Sequence, residues 1–227
     1  MDLEQFAASA QAAPPMRLGQ RHDAERFLPD PGNTVVCHLE LDTPGGRAVV
    51  RARERIMGLP GAEHLLFTPV ESLHMTVFEG VLDARRTADA WPAFMARDAS
   101  VAAVTAEMRE RLAGFDAPGA FEVRVKAVRP GGLELCGATR ADAAALLAWR
   151  EALSGVFGYC QAAHDAYKHH LTFAYPISWL PDALVPLWRE ALAEIEAELG
   201  TEALPLRAPA FCEFADMTWF EELVGLG

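Results

Sequence analysis

The sequence predicts an α+β protein built on antiparallel sheet, on three observations. Amphipathic helical segments and alternating strand segments mix without the strict β-α-β order of a parallel sheet. Residues 121–128 alternate apolar and polar, and Pro130-Gly131-Gly132 turns the chain into a second strand over 133–136, which reads as a hairpin. Neither GxGxxG nor GxxxxGK(S/T) occurs, so the nucleotide folds built on those loops have no support.

Each element follows in chain order. Residues 1–32 hold Pro14-Pro15, Pro29 and Pro31-Gly32 and show no sustained period. The turn signal Pro31-Gly32-Asn33 opens a β-rich run over 34–39. Residues 46–57 suit a helix that Gly58 and Pro60 end. Two short strands follow over 64–68 and 72–78, split by Pro69, and 81–98 read as a long loop. Val101, Val104, Met108, Leu112 and Phe115 step by three or four, as one face of a helix does. Beyond the hairpin, Leu146, Trp149, Leu153 and Phe157 mark a second long helix. Residues 168–175 form a strand stopped by Pro176, and Leu184, Trp188, Leu192, Ile195 and Leu199 mark the last helix. A closing strand is expected over 210–215.

Composition narrows the function. The chain has 227 residues, 51% of them hydrophobic, enough for a real core and no match for a disordered tail. Twenty basic against 32 acidic residues leave a net charge of −12, the wrong sign for coating long nucleic acid. No apolar run approaches a membrane span, and Asp2 and Glu4 stand where a secretory signal needs positive charge. Cys37, Cys136, Cys160 and Cys212 lie far apart, without CxxC or metal-ligand spacing, which fits reduced thiols in a cytoplasmic protein.

Two segments repeat one pattern: His74-Met75-Thr76-Val77 and His170-Leu171-Thr172-Phe173. Residues two apart on a strand share a face, so each segment offers one imidazole and one hydroxyl to the same side. Two such hits among seven histidines arise by chance about 0.3% of the time, a crude count that favours chemistry over coincidence. Hydrolysing a phosphodiester needs a base for the attacking water and an acid for the leaving oxygen, and imidazole serves either purpose near neutrality. Threonine hydroxyls donate to the non-bridging oxygens and orient the group. The same alternation puts Phe78 on the face of His74 and Lys168 on the face of His170, as substrate contacts. His38, in the first strand, is a further substrate-binding candidate. His169 and Tyr175 fall on the opposite face, and Arg85 and Arg86 stand in the long loop. His164, Asp165, His169 and His170 crowd one stretch, but adjacent strand residues diverge, so no metal site and no cofactor are expected.

The two HxT motifs, 96 residues apart, resemble the 2H phosphoesterases, a superfamily that includes 2′,3′-cyclic phosphodiesterases and RNA 2′,5′-ligase-like proteins. The flanks around Pro31–Leu39 and Leu73–Val81, the Lys168-x-His170-x-Thr172-x-x-Tyr175-Pro176 segment and the tail from Phe211 to Met217 resemble an uncharacterised branch of it. The resemblance implies a bilobal α+β fold: two antiparallel sheets flanked by helices, with a central cleft that takes one HxT from each lobe. Residues 1–26 then form an N-terminal extension and 27–227 a single two-lobed domain. It also implies a metal-independent hydrolase of cyclic or 2′,5′-linked nucleotides, with His74 and His170 as the acid/base pair and Thr76 and Thr172 on the phosphate. The expected partner is a small phosphorylated nucleotide or RNA end, with no long nucleic acid, no membrane and a monomeric state. The alternatives are a non-catalytic binding module that keeps the cleft, and a zinc hydrolase.

Overall fold

The computed structural model describes residues 1–161 and 164–227. Its elements are α1 (Leu3–Phe6), β1 (Gly32–His38), α2 (Pro44–Met57), β2 (Leu65–Phe67), β3 (His74–Leu82), α3 (Val101–Arg111), β4 (Val123–Arg129), β5 (Gly132–Gly137), α4 (Arg140–Phe157), β6 (His170–Thr172), β7 (Ala174–Pro176), α5 (Val185–Leu199), β8 (Ala210–Phe214) and β9 (Glu221–Gly225). The fold is α+β with two antiparallel sheets. Seven strands run in the order β4-β5-β6-β3-β1-β8-β9, and β2 pairs with β7 apart from them. Within the large sheet β3 pairs with β6, with Met75 opposite Leu171 as the single register pair. The two HxT strands are therefore neighbours.

Local chemistry fixes the helix ends. Thr43 accepts from the Gly46 amide and Pro44 follows at the first helical position of α2. Thr139 and Asp142 form a reciprocal capping box at the start of α4, and Gly158 closes it with φ +70°. The β4–β5 hairpin turns at Pro130-Gly131 into Gly132, whose φ is +146° and where a Cβ would collide with the Leu171 carbonyl oxygen.

The two faces of the large sheet differ. Val35 and Cys37 of β1, Met75 and Val77 of β3, Leu133 and Leu135 of β5 and Leu171 of β6 join Val104, Trp149, Leu153, Trp188 and Ile195 of the helices in one apolar core. On the other face Val36, Ala210 and Cys212 form a smaller cluster with Met217 and Phe220 from the β8–β9 connection. The histidine and threonine side chains of both HxT segments line a cavity on this second face.

One segment differs from expectation. The strand expected over 168–175 is broken at Phe173: β6 stays in the large sheet and β7 turns away to pair with β2. Residues 1–26 pack onto the domain. Phe6 is fully buried with its ring 5.5 Å from Trp188, and His22 is fully buried with Nε2 3.0 Å from the Pro176 carbonyl oxygen.

Candidate active site

A cavity of about 330 Å3 opens on the second face, and His74, Thr76, His170 and Thr172 all line it. Both histidines are held in the same way. His74 Nδ1–H donates to the Ser72 carbonyl oxygen at 2.6 Å, and His170 Nδ1–H donates to the Lys168 carbonyl oxygen at 2.9 Å. A carbonyl only accepts, so Nδ1 carries the proton and Nε2 is the basic nitrogen of each neutral ring. Among the described residues neither Nε2 has a protein partner.

The two sites are not equivalent. His170 is exposed, whereas His74 is half-buried under Phe220, with 4.1 Å between ring centroids. Burial, and then the neighbouring imidazoles His38 and His170, press His74 down to about 4 against the opposing pull of the Ser72 carbonyl. His74 is therefore neutral at physiological pH. His169 points the other way: it is buried, its Nδ1–H donates to the Thr76 carbonyl oxygen at 3.2 Å, and burial lowers it too to about 4.

Three sequence expectations need correction. Phe78 does not reach the cavity; it is fully buried against Phe157 and Tyr159. The reason is a bulge. Val36 pairs with Thr76 but Val35 pairs with Phe78, so one extra residue in β3 flips the faces beyond Thr76. Val77 and Phe78 both enter the core, and Glu79 takes the cavity position. Lys168 is exposed and does not line the cavity, because regular strand begins only at His170; it contributes its carbonyl rather than its ammonium. His38 stands opposite His74 in register, 6.3 Å away ring to ring, but its Nε2 faces the Cys212 sulfur at 3.7 Å and it does not line the cavity.

The cavity also gathers residues that the alternation rule misses. The break at Phe173 swings Tyr175 onto its wall, and the irregular segment before β6 brings in Tyr167. The Tyr167 hydroxyl is buried without a partner, and the Arg150 guanidinium stacks 4.0 Å from its ring. Arg85 lines the cavity and donates to Glu79 Oε2 at 2.8 Å. Met16, Arg17 and Arg21 of the N-terminal segment complete the wall. No periodicity marks that segment, so no sequence signal pointed to it. Among the described residues no group of three or more His, Cys, Asp or Glu stands close enough to hold a metal ion, and no helix is long and apolar enough to cross a membrane.

An antiparallel sheet that brings two histidine–threonine strands to one cavity has the organisation of a two-histidine phosphoesterase. The chain belongs to the 2H-phosphodiest family, described as a domain of unknown function, DUF1868, whose model matches residues 21–134. The match takes in the first HxT and stops short of the second. The solved structure of the conserved protein of unknown function ATU0111 from Agrobacterium tumefaciens strain C58 spans both: it is 42% identical, with 98% of this chain and 97% of that chain covered, at a TM-score of 0.96. No curated protein matches the chain.

Proposed function

We propose that this protein is a metal-independent phosphodiesterase that hydrolyses cyclic 2′,3′-type or 2′,5′-linked nucleotides. The observation that carries the reading is the pair of imidazoles on one cavity, each with Nδ1 tied to the carbonyl two residues before it and Nε2 left for a ligand. His74, held neutral, is the base. Its Nε2 takes a proton from the water that attacks phosphorus. His170, the exposed member of the pair, gives its Nε2–H to the departing ribose oxygen. The P–O bond to that oxygen breaks as the new one forms, leaving a phosphomonoester and a free hydroxyl. Thr76 and Thr172 donate to the non-bridging oxygens as charge builds there. The four free cysteines suit action in the reducing cytoplasm.

The test is turnover by the purified chain on adenosine 2′,3′-cyclic phosphate, ADP-ribose cyclic phosphate and 2′,5′-oligoadenylates. At least one is expected to be hydrolysed, and His74→Ala or His170→Ala to slow it by about 10²–10⁴-fold. Tight binding of these nucleotides with no turnover of any would overturn the reading in favour of a binding module.

A further inference from the structure

We propose that the cavity holds a second phosphate besides the one under attack, and that Arg17 and Arg21 of the N-terminal segment bind it. The proposal rests on the reading that the HxT pairs hold the scissile phosphodiester. Both arginines line the cavity, and their side chains are only 21% and 20% exposed. Both donate to one and the same oxygen: Arg17 Nη2 reaches Asp30 Oδ2 at 2.7 Å and Arg21 Nε reaches it at 2.8 Å. One buried carboxylate thus positions two guanidiniums and neutralises one of them, so a positive charge is left on the wall. Buried cations are normally matched in number by their partners, and a surplus calls for an anion from outside.

Unsatisfied donors point the same way. Arg17 Nε, Arg85 Nε and the Tyr167 hydroxyl are buried without an acceptor, and all three belong to residues that line this one cavity. Buried donors are seldom left unpaired, and a phosphate offers several acceptor oxygens at once. Arg17 also holds φ +68°, and it is the one non-glycine among the described residues at positive φ. Such strain at a ligand-facing arginine fits a backbone shaped to aim its side chain. In a chain of net charge −12, three arginines against Glu79 on the cavity wall is a local inversion of sign.

The arginines come from the N-terminal segment, not from the two strands that carry the histidines. Arg21 lies over the Tyr175 ring at 5.8 Å, on the strand that leaves the large sheet after Thr172. When the 2′/3′ edge of a ribose faces the histidines, the other phosphate-bearing carbon of that ribose is C5′. The substrate class is therefore a nucleotide with a phosphate on its 5′ oxygen, either a terminal monoester or the link to a preceding nucleotide at an RNA end.

Calorimetric titration tests this without turnover. Adenosine 3′,5′-bisphosphate is expected to bind wild-type protein at least tenfold more tightly than adenosine 3′-monophosphate. Arg17→Met and Arg21→Met, each checked for unchanged circular dichroism, are expected to close most of that gap. Equal affinity for the two nucleotides, a gap that both variants leave intact, or no binding of either at millimolar concentration would overturn the proposal. The wild-type comparison stands even where a variant misfolds. The dinucleotide adenylyl-(3′→5′)-adenosine 3′-phosphate separates the sources: affinity at or above the bisphosphate's assigns the subsite to RNA ends, and lower affinity to mononucleotides. An affinity gap without hydrolysis of any substrate refutes the phosphodiesterase reading and leaves the subsite. Hydrolysis without a gap does the reverse.

Discussion

Substitution of His169 by alanine separates the histidine proposed to act on substrate from its buried neighbour in the sheet. The His169 ring is 8% exposed and its Nδ1–H meets the Thr76 carbonyl oxygen. Removing it leaves that carbonyl without its partner and empties a packed site, at a cost of about 1–3 kcal/mol near pH 7.5. The deficit should shrink in acid. Burial lowers His169 to about 4, below the ordinary imidazole value near 6.5, so as pH falls the unfolded chain takes up a proton that the folded chain refuses. Wild-type stability from this group is intact above about 6.5 and lost as pH drops towards 4. At pH 5 the loss is about 2 kcal/mol, whereas the alanine variant has no such group to lose. Urea unfolding at pH 7.5 and pH 5 measures both numbers. A deficit that stays constant or widens at pH 5 would refute the claim that the fold holds His169 neutral. Turnover of the folded variant should change by less than about tenfold, far from the 10²-fold or greater loss expected at His170.

Three further outcomes are expected. The double variant His74→Ala/His170→Ala should be little slower than either single one, because the pair acts as one unit; multiplicative losses in initial rates would deny the coupling. Excess EDTA should leave hydrolysis unchanged, and a loss restored by added zinc would assign the chemistry to a metal. Gly132→Ala forces a Cβ into the Leu171 carbonyl at φ +146° and should destabilise by about 2–4 kcal/mol in a denaturant melt, with His170 displaced along with β6; an unchanged melt would show that β6 yields freely.

Elements set by local patterns were legible from the residues. α3 and α4 follow apolar steps of three or four, and the β4–β5 hairpin follows Pro130-Gly131. Each HxT was legible because it spans one strand period, too short for an irregularity to intervene. Extending the period failed wherever tertiary structure broke it. One residue past Thr76, the bulge sends Phe78 into the core and gives Glu79 its place. Two residues before His170 there is no regular strand, so Lys168 drifts to solvent. Past Thr172 the chain leaves the sheet, and Tyr175 turns inward. Arg17 and Arg21 were out of reach for a different reason. A proline-rich segment without periodicity shows what it is not, and its place on the cavity wall is decided by contacts with distant residues such as Pro176. β9 is mostly exposed and carries Glu221-Glu222, so it shows no apolar alternation.

The asymmetry between the two histidines has a physical source that can be moved. Phe220 is 5% exposed, lies 4.1 Å from the His74 ring and is itself backed by Phe214 at 4.9 Å. It keeps water from one side of an imidazole, and loss of solvent is the leading cause of that ring's low value. Phe220→Ala should let water in and raise His74 from about 4 towards the ordinary value. The base must be neutral to accept a proton, so the acid limb of kcat/KM should move up in pH with it. If His74 rises to about 6, the neutral fraction at pH 5 falls about tenfold, while the rate above pH 7 is nearly unchanged. Phe220→Leu keeps most of the apolar cover and should hold the limb near its wild-type position. The variant also opens a cavity, and a melt will show a loss of about 3–5 kcal/mol. That loss alone scales the amount of active protein at every pH and does not displace a limb. An acid limb that stays in place in Phe220→Ala, in a preparation still folded at pH 5, would show either that Phe220 does not set the His74 value or that His74 is not the base.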